Sequence, residues 1–106
     1  MERKCKTFTT PSGERINLHY IGYFAKQIKR TTDCIRLWER NRVIPETPFR
    51  DNNGRRMYSQ AQIDVVVKFL NKYDITHGKP ISHTYFSKNV YNHWNKLKAY
   101  YTGKEQ

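Results

Sequence analysis

Three observations predict a mainly helical domain with a small β component. The chain has 106 residues, of which 37% are hydrophobic and 14% aromatic, enough for one modest core and not two. Apolar residues recur at helical spacing in separate stretches around Ile21, Ile35, Ile63 and Phe86. Between the second and third of these lies Asn53-Gly54, a strong short-range hairpin signal.

Taken in order, Lys6 to Thr10 alternates weakly around Phe8, Pro11-Ser12-Gly13 signals a turn, and Arg15-Ile16-Asn17-Leu18 alternates again. This reads as an N-terminal hairpin with Phe8, Ile16 and Leu18 facing inward. From Ile21 the period changes. Ile21, Phe24, Ala25 and Ile28 form a single stripe on a first helix, and Ala25 suits a close crossing with another helix. Lys29-Arg30-Thr31 is a short connection. Thr31 or Thr32 caps a second helix, with Asp33 in its first turn, where the helix dipole favours negative charge. On that helix Ile35 and Trp38 share one side, while Thr32, Arg36 and Arg40 share another. It should end near Asn41 or Arg42, because Pro45 disfavours helical backbone at Ile44.

Pro45 to Ser59 is expected to be a hairpin. A type I′ turn at Asn53-Gly54 sets Asp51 opposite Arg56 and Phe49 opposite Tyr58, and a three-residue loop would break both pairings. Ser59-Gln60-Ala61-Gln62 fits a capping box, and Ile63, Val66, Val67 and Leu70 carry a third helix to about Tyr73. Asp74 to Pro80 reads as a loop. Ser82 or Thr84 can cap a fourth helix, whose stripe is Phe86, Val90, Trp94, Leu97 and Tyr101 and which stops before Gly103. The stripe should pack on helix one, or else form a dimer seam. The order helix, turn, helix, hairpin reads as a winged helix-turn-helix, mainly α with a small β wing, with a short N-terminal hairpin and an extra C-terminal helix. The divisions are 1–19 for the arm, 20–73 for the winged helix and 74–106 for the loop and last helix.

Charge narrows the function classes. Twenty Lys and Arg stand against nine Asp and Glu, for a net charge of +11. Residues 26–56 alone hold nine basic and four acidic side chains. Such a domain attracts polyanions, nucleic acid first and an anionic membrane surface second. No run approaches the roughly 20 apolar residues of a membrane span, and the N-terminus leads into no signal peptide. Cys5 and Cys34 are far apart with no C-x-x-C, which reads as reduced thiols in a cytoplasmic protein. His19, His77, His83 and His93 lack metal spacing, and neither a Gly-rich phosphate loop nor a nucleophile elbow occurs. The expectation is a protein without enzymatic activity, cofactor or metal. Cys34, near the start of helix two, is either a packing residue or a thiol acidified by the helix dipole and open to redox sensing.

Four motifs stand in order between about Tyr20 and Leu70: Ile21-Gly22-x-x-Ala25-Lys26, Ile35-Arg36-Leu37-Trp38-Glu39, Ile44-Pro45 and Gly54-Arg55-Arg56-Met57-Tyr58. Together they resemble the DNA-binding domain of the mercury-resistance-regulator (MerR) family. The first looks like its first helix, and the second resembles its second-helix signature Ile-Arg-Tyr-Tyr/Trp-Glu. The third matches the exit from that helix, and the fourth resembles the wing signature Gly-Tyr-Arg-x-Tyr. The resemblance implies that Arg36 grips the DNA backbone, that Arg56 reaches adjacent phosphates or the minor groove, and that Tyr58 anchors the wing. Leu37 stands where the family usually has tyrosine, and Arg42 where it usually has glycine. No heptad repeat is visible. This points to a compact form without coiled coil or small-molecule effector domain. Related compact winged helices occur in phage excisionases and in small subunits of phage packaging terminases.

The expected partner is double-stranded DNA, with helix two in the major groove and the wing on adjacent phosphates or the minor groove. The candidate contact residues are Thr31, Thr32, Asp33, Arg36 and Arg40 on helix two, Arg50, Arg55, Arg56 and Tyr58 on the wing, and Lys26, Lys29 and Arg30 beside them. The bland alternatives are a simple cap for Thr32, solvated helix arginines, and edge-strand protection by the wing charges. The expected process is transcription regulation, in the nucleoid or, for a phage protein, in the host cytoplasm. Phage-type recombination or packaging, and a protein-binding adaptor or inhibitor, stay open. So does homodimerisation.

Overall fold

The computed structural model describes residues 5–73 and 85–103. Among them the elements run β1 (Cys5–Thr9), β2 (Arg15–Tyr20), α1 (Ile21–Ile28), α2 (Thr32–Arg40), β3 (Phe49–Arg50), β4 (Arg56–Ser59), α3 (Gln60–Lys72) and α4 (Tyr85–Thr102). The loop expected at Asp74–Pro80, the caps Ser82 and Thr84, and His77 and His83 lie outside the described residues.

The β1–β2 hairpin pairs Phe8 with Ile16, and its turn closes through Gly13 N–H to the Thr10 carbonyl at 2.9 Å. β2 then pairs with β4, so the sheet order is β1-β2-β4-β3, antiparallel throughout. The two hairpins share one sheet. The β part is therefore larger than a lone wing, and the domain is a small α/β assembly.

The second hairpin differs from expectation in register. Phe49 pairs with Met57 and Arg50 with Arg56, not Phe49 with Tyr58 and Asp51 with Arg56. The cause is a three-residue loop. Asp51 N–H donates to the Arg55 carbonyl at 3.0 Å, Gly54 N–H donates to the Asp51 carbonyl at 3.0 Å, and Gly54 carries φ +80 while Asn53 is not in the left-handed region. A type I′ turn needs both central residues at positive φ; a type I turn closed by a left-handed glycine does not. Asp51 favours the longer loop. One carboxylate oxygen accepts the N–H groups of Asn53 at 2.8 Å and Arg55 at 2.9 Å, and the other accepts the Tyr20 hydroxyl at 3.0 Å.

Helix ends follow local chemistry. Thr31 caps α2 by accepting the Cys34 N–H at 3.1 Å. Ser59 and Gln62 form the full capping box at the start of α3. α1 is followed by Lys29 at φ 60, and α2 leads through Asn41 to Arg42 at φ 62. A side chain in that left-handed region costs about 1 kcal/mol or more. A cation near a helix C-terminus returns about 0.3–1 kcal/mol, so the two effects come close to cancelling without leaving a clear gain.

Two apolar clusters are joined by α4. The larger holds Phe24, Ile28, Ile35, Trp38, Ile44, Tyr58, Ile63, Val66, Phe86 and Trp94; the smaller holds Leu18, Phe49, Met57 and Tyr101. Along α4, Phe86 meets Trp38 edge-on at 5.7 Å, Trp94 lies 6.1 Å from Tyr58, and Tyr101 lies 5.2 Å from Phe49. The expected stripe is thus core, with Leu97 half-buried. It lies chiefly along α3, not α1, which meets it mainly through Phe24 at 6.3 Å from Trp94. These rings are turned into their own chain. Polar groups on α4 find partners in this core: Trp94 Nε1–H donates to the Gln62 carbonyl at 3.0 Å, and the Ser59 and Tyr101 hydroxyls meet at 2.8 Å.

Two outcomes follow. Trp94→Ala should cost about 3–5 kcal/mol, read as a shift in a denaturant melt; a loss below about 1 kcal/mol would contradict this packing. Hydrogen bonds from the Arg55 N–H, and then from Tyr20 and Asn53, hold the Asp51 carboxyl below its ordinary value of 3.8. A depressed carboxyl stabilises the loop above its unfolded value, and that contribution is lost as pH falls through the folded one. Amide exchange at Asn53 and Arg55, relative to intrinsic rates, should therefore quicken below about pH 4, and should already be quick at neutral pH in Asp51→Ala.

Candidate nucleic-acid interface

The inner side of α2 buries Ile35, Trp38 and Glu39, and its outer side exposes Asp33, Arg36, Leu37 and Arg40. Glu39 is the unexpected member of the inner set. Its side chain is 2% exposed, yet it is a carboxylate. Burying such a charge costs several kcal/mol unless it is paired and hydrogen-bonded. Both conditions are met from β4. Arg56 Nε–H donates to one Glu39 oxygen, and the Tyr58 hydroxyl donates to the other at 2.8 Å. Burial, followed by the negative charge of Glu39, pushes the Tyr58 hydroxyl far above its ordinary value, so it stays a donor.

This joint determines where the second hairpin sits. At about 100° per residue, Arg36 and Arg40 lie roughly 60° and 100° around the helix from Glu39, in the same sense. β4 therefore meets α2 along the border of its arginine-bearing face. At the hairpin tip Asn52, Asn53, Gly54 and Arg55 are exposed. Arg50 braces that tip by donating to the Gly54 carbonyl at 2.9 Å, with Glu46 4.0 Å away.

The expected contact residues divide into four groups. Arg40 and Arg55 are exposed and form no ion pair with a described carboxylate. Arg36 is exposed and folds back on Asp33 at 3.0 Å and on the Thr32 hydroxyl at 3.3 Å. That ion pair is open to solvent and contributes at most about 1 kcal/mol, so the guanidinium can exchange to a phosphate. Lys26 and Lys29 are exposed at the end of α1, while Arg30 is half-buried with its guanidinium 5.6 Å from the Trp38 ring centre. Thr31 is committed as a cap, and Thr32 is half-buried.

Two assignments need correction. Tyr58 is fully buried and cannot touch a ligand. Arg56, 30% exposed, is turned inward onto Glu39 instead of outward from the hairpin. Both position the hairpin. The residue that organises them, Glu39, had a signal in the sequence: it lies four after Ile35 and next to Trp38, on the apolar side of the helix, where a carboxylate needs a donor. Cys34 also departs from the acidified alternative. Burial pushes its thiol up, and the nearby Arg30 only partly offsets this.

Among the described residues no cluster of His, Cys, Asp and Glu could hold a metal, and no helix is long and apolar enough to cross a membrane. No protein-family model, curated protein or solved structure matches the chain.

Glu39→Ala would leave the Arg56 guanidinium and the Tyr58 hydroxyl without their acceptor. Because Arg56 can turn partly to water, the expected loss is about 2–3 kcal/mol. Glu39→Gln keeps an acceptor for Tyr58 and should lose less. Denaturant melts of the two variants check this ranking, and equal stability of Glu39→Ala and wild type would refute the joint.

Proposed function

We propose that this chain is a double-stranded DNA-binding protein of winged-helix type, with α2 entering the major groove and the β3–β4 hairpin resting on the flanking backbone. The observation that carries the reading is the Glu39 joint, which holds the hairpin along the border of the α2 face bearing Arg36 and Arg40. Two cation-bearing elements with a fixed relation suit a duplex, whose phosphates flank the groove that a helix enters. The resemblance of residues 20–70 to the MerR-type domain supports the same arrangement and favours transcription regulation as the process.

On this reading the roles divide among the cations. Arg36, Arg40 and Arg55 are the phosphate contacts. Arg50 stiffens the tip. Arg56, Tyr58 and Glu39 orient the hairpin without touching DNA. Leu37 is 45% exposed on the outer side of α2; in the groove an apolar side chain there can pack on a thymine methyl group. A protein-binding adaptor would need a broader apolar patch around Leu37, and its helical neighbours Asp33, Arg36 and Arg40 are charged.

These three phosphate contacts contribute about −2.7 to the slope of log K against log salt, at about −0.9 per contact. Fluorescence anisotropy with a labelled duplex measures it. Arg36→Ala combined with Arg40→Ala should reduce the slope by about 1.8 and weaken binding to every sequence. Unchanged affinity and slope in that double variant would sink the reading.

A further inference from the structure

We propose that the groove between the exit of α2 and the first half of α4 is a second anion site, shaped for a phosphodiester of the same DNA. The proposal rests on the DNA-binding reading and extends it to residues that neither α2 nor the hairpin contains. The groove, about 440 Å³, is lined by Arg42, Ser87, Lys88, Tyr91 and Asn92. Arg42 and Lys88 are far apart in sequence. They come together because the buried Ser87 hydroxyl donates to the Val43 carbonyl at 2.7 Å, pinning α4 against the end of α2.

The donor set selects for negative charge. The described residues that line the groove include an arginine, a lysine, a tyrosine and an asparagine, and none of them is acidic. Neither cation forms an ion pair with a described carboxylate. The Lys88 ammonium lies 5.9 Å from the Tyr85 ring centre, a contact that orients it without neutralising it. Arg42 and Lys88 can therefore both turn to an incoming phosphate, which takes charge-assisted hydrogen bonds from each.

Arg42 holds φ 62 at the helix exit, a conformation that glycine adopts without strain, so Arg42→Gly removes the groove's guanidinium without straining the backbone. The polyanion is favoured over a small free anion by continuity. Arg40 is exposed on the last turn of α2, two residues before Arg42, so positive charge runs from the outer face of α2 past its end and onto α4. A backbone of linked phosphates can follow that line, whereas a single ion would use only one part of it.

The test uses the full chain and a labelled duplex, titrated by anisotropy over a salt series, with wild type, Arg42→Gly, Lys88→Gln and the double variant. Each single substitution should lower the magnitude of the salt slope by about 0.9, and the double by about 1.8. Thermal melts are the folding control: Arg42→Gly should melt at or above the wild-type temperature, and Lys88→Gln should match wild type. A folded double variant with wild-type slope and affinity overturns the groove site and leaves the α2–hairpin reading standing. A wild type that binds no duplex overturns both. Inorganic phosphate at constant ionic strength is the second probe. Saturable phosphate binding that the double variant loses, with duplex binding unchanged, would identify a small-anion site and overturn the proposal.

Discussion

A single buried carboxylate sets the relation between the parts of this protein. Glu39 stands on the apolar side of α2, where charge is least tolerated, and is made tolerable by two donors that both come from β4. The arrangement has a directional consequence that apolar packing would not supply. Hydrophobic contacts allow a helix to slide or rotate on a sheet at modest cost, whereas a buried acid with two specific partners has one satisfactory position. The hairpin is therefore located relative to the outer face of α2 by chemistry on its inner face.

The rest of the fold supports that joint from behind. The Ser59–Gln62 capping box starts α3 at the end of β4, and Thr47 donates to the Met57 carbonyl at 2.6 Å, so the root of the hairpin is held on both sides. α4 then packs along both clusters, with Trp94 against Phe24 and Tyr58 and with Tyr101 against the sheet. Few residues form the core, and rings supply most of its area per side chain. This is how a domain with 27% charged residues and mean hydropathy of −0.94 closes around an interior.

What could be read from the sequence was what local rules control. The stripes of all four helices, the capping box at Ser59, a threonine cap at Thr31 or Thr32 and the inward set Phe8, Ile16 and Leu18 follow from periodicity and capping chemistry. The hairpin register did not, because Asn53-Gly54 serves either a two-residue or a three-residue loop. The choice depends on Asp51 and on Tyr20, which is distant in sequence. The joining of the two hairpins into one sheet, and the choice of α3 over α1 as the support for α4, are likewise tertiary outcomes that periodicity does not encode. In the candidate site the exposed arginines Arg36, Arg40 and Arg55 were legible from spacing. The inward turn of Arg56 was not, since it required knowing that Glu39 would be buried within its reach. Arg42 and Lys88 meet only because Ser87 is bonded to Val43.

The position of α4 also bears on how the chain reaches its folded state in a cell. Phe86, Val90 and Trp94 complete an interior whose other members are all synthesised earlier, between Phe24 and Leu70. While the ribosome is still making the middle of the chain, those rings and aliphatic groups lack their cover, and so nascent or prematurely terminated chains present a sticky surface of the kind that chaperones and proteases engage. Folding of this domain thus waits until α4 has been made.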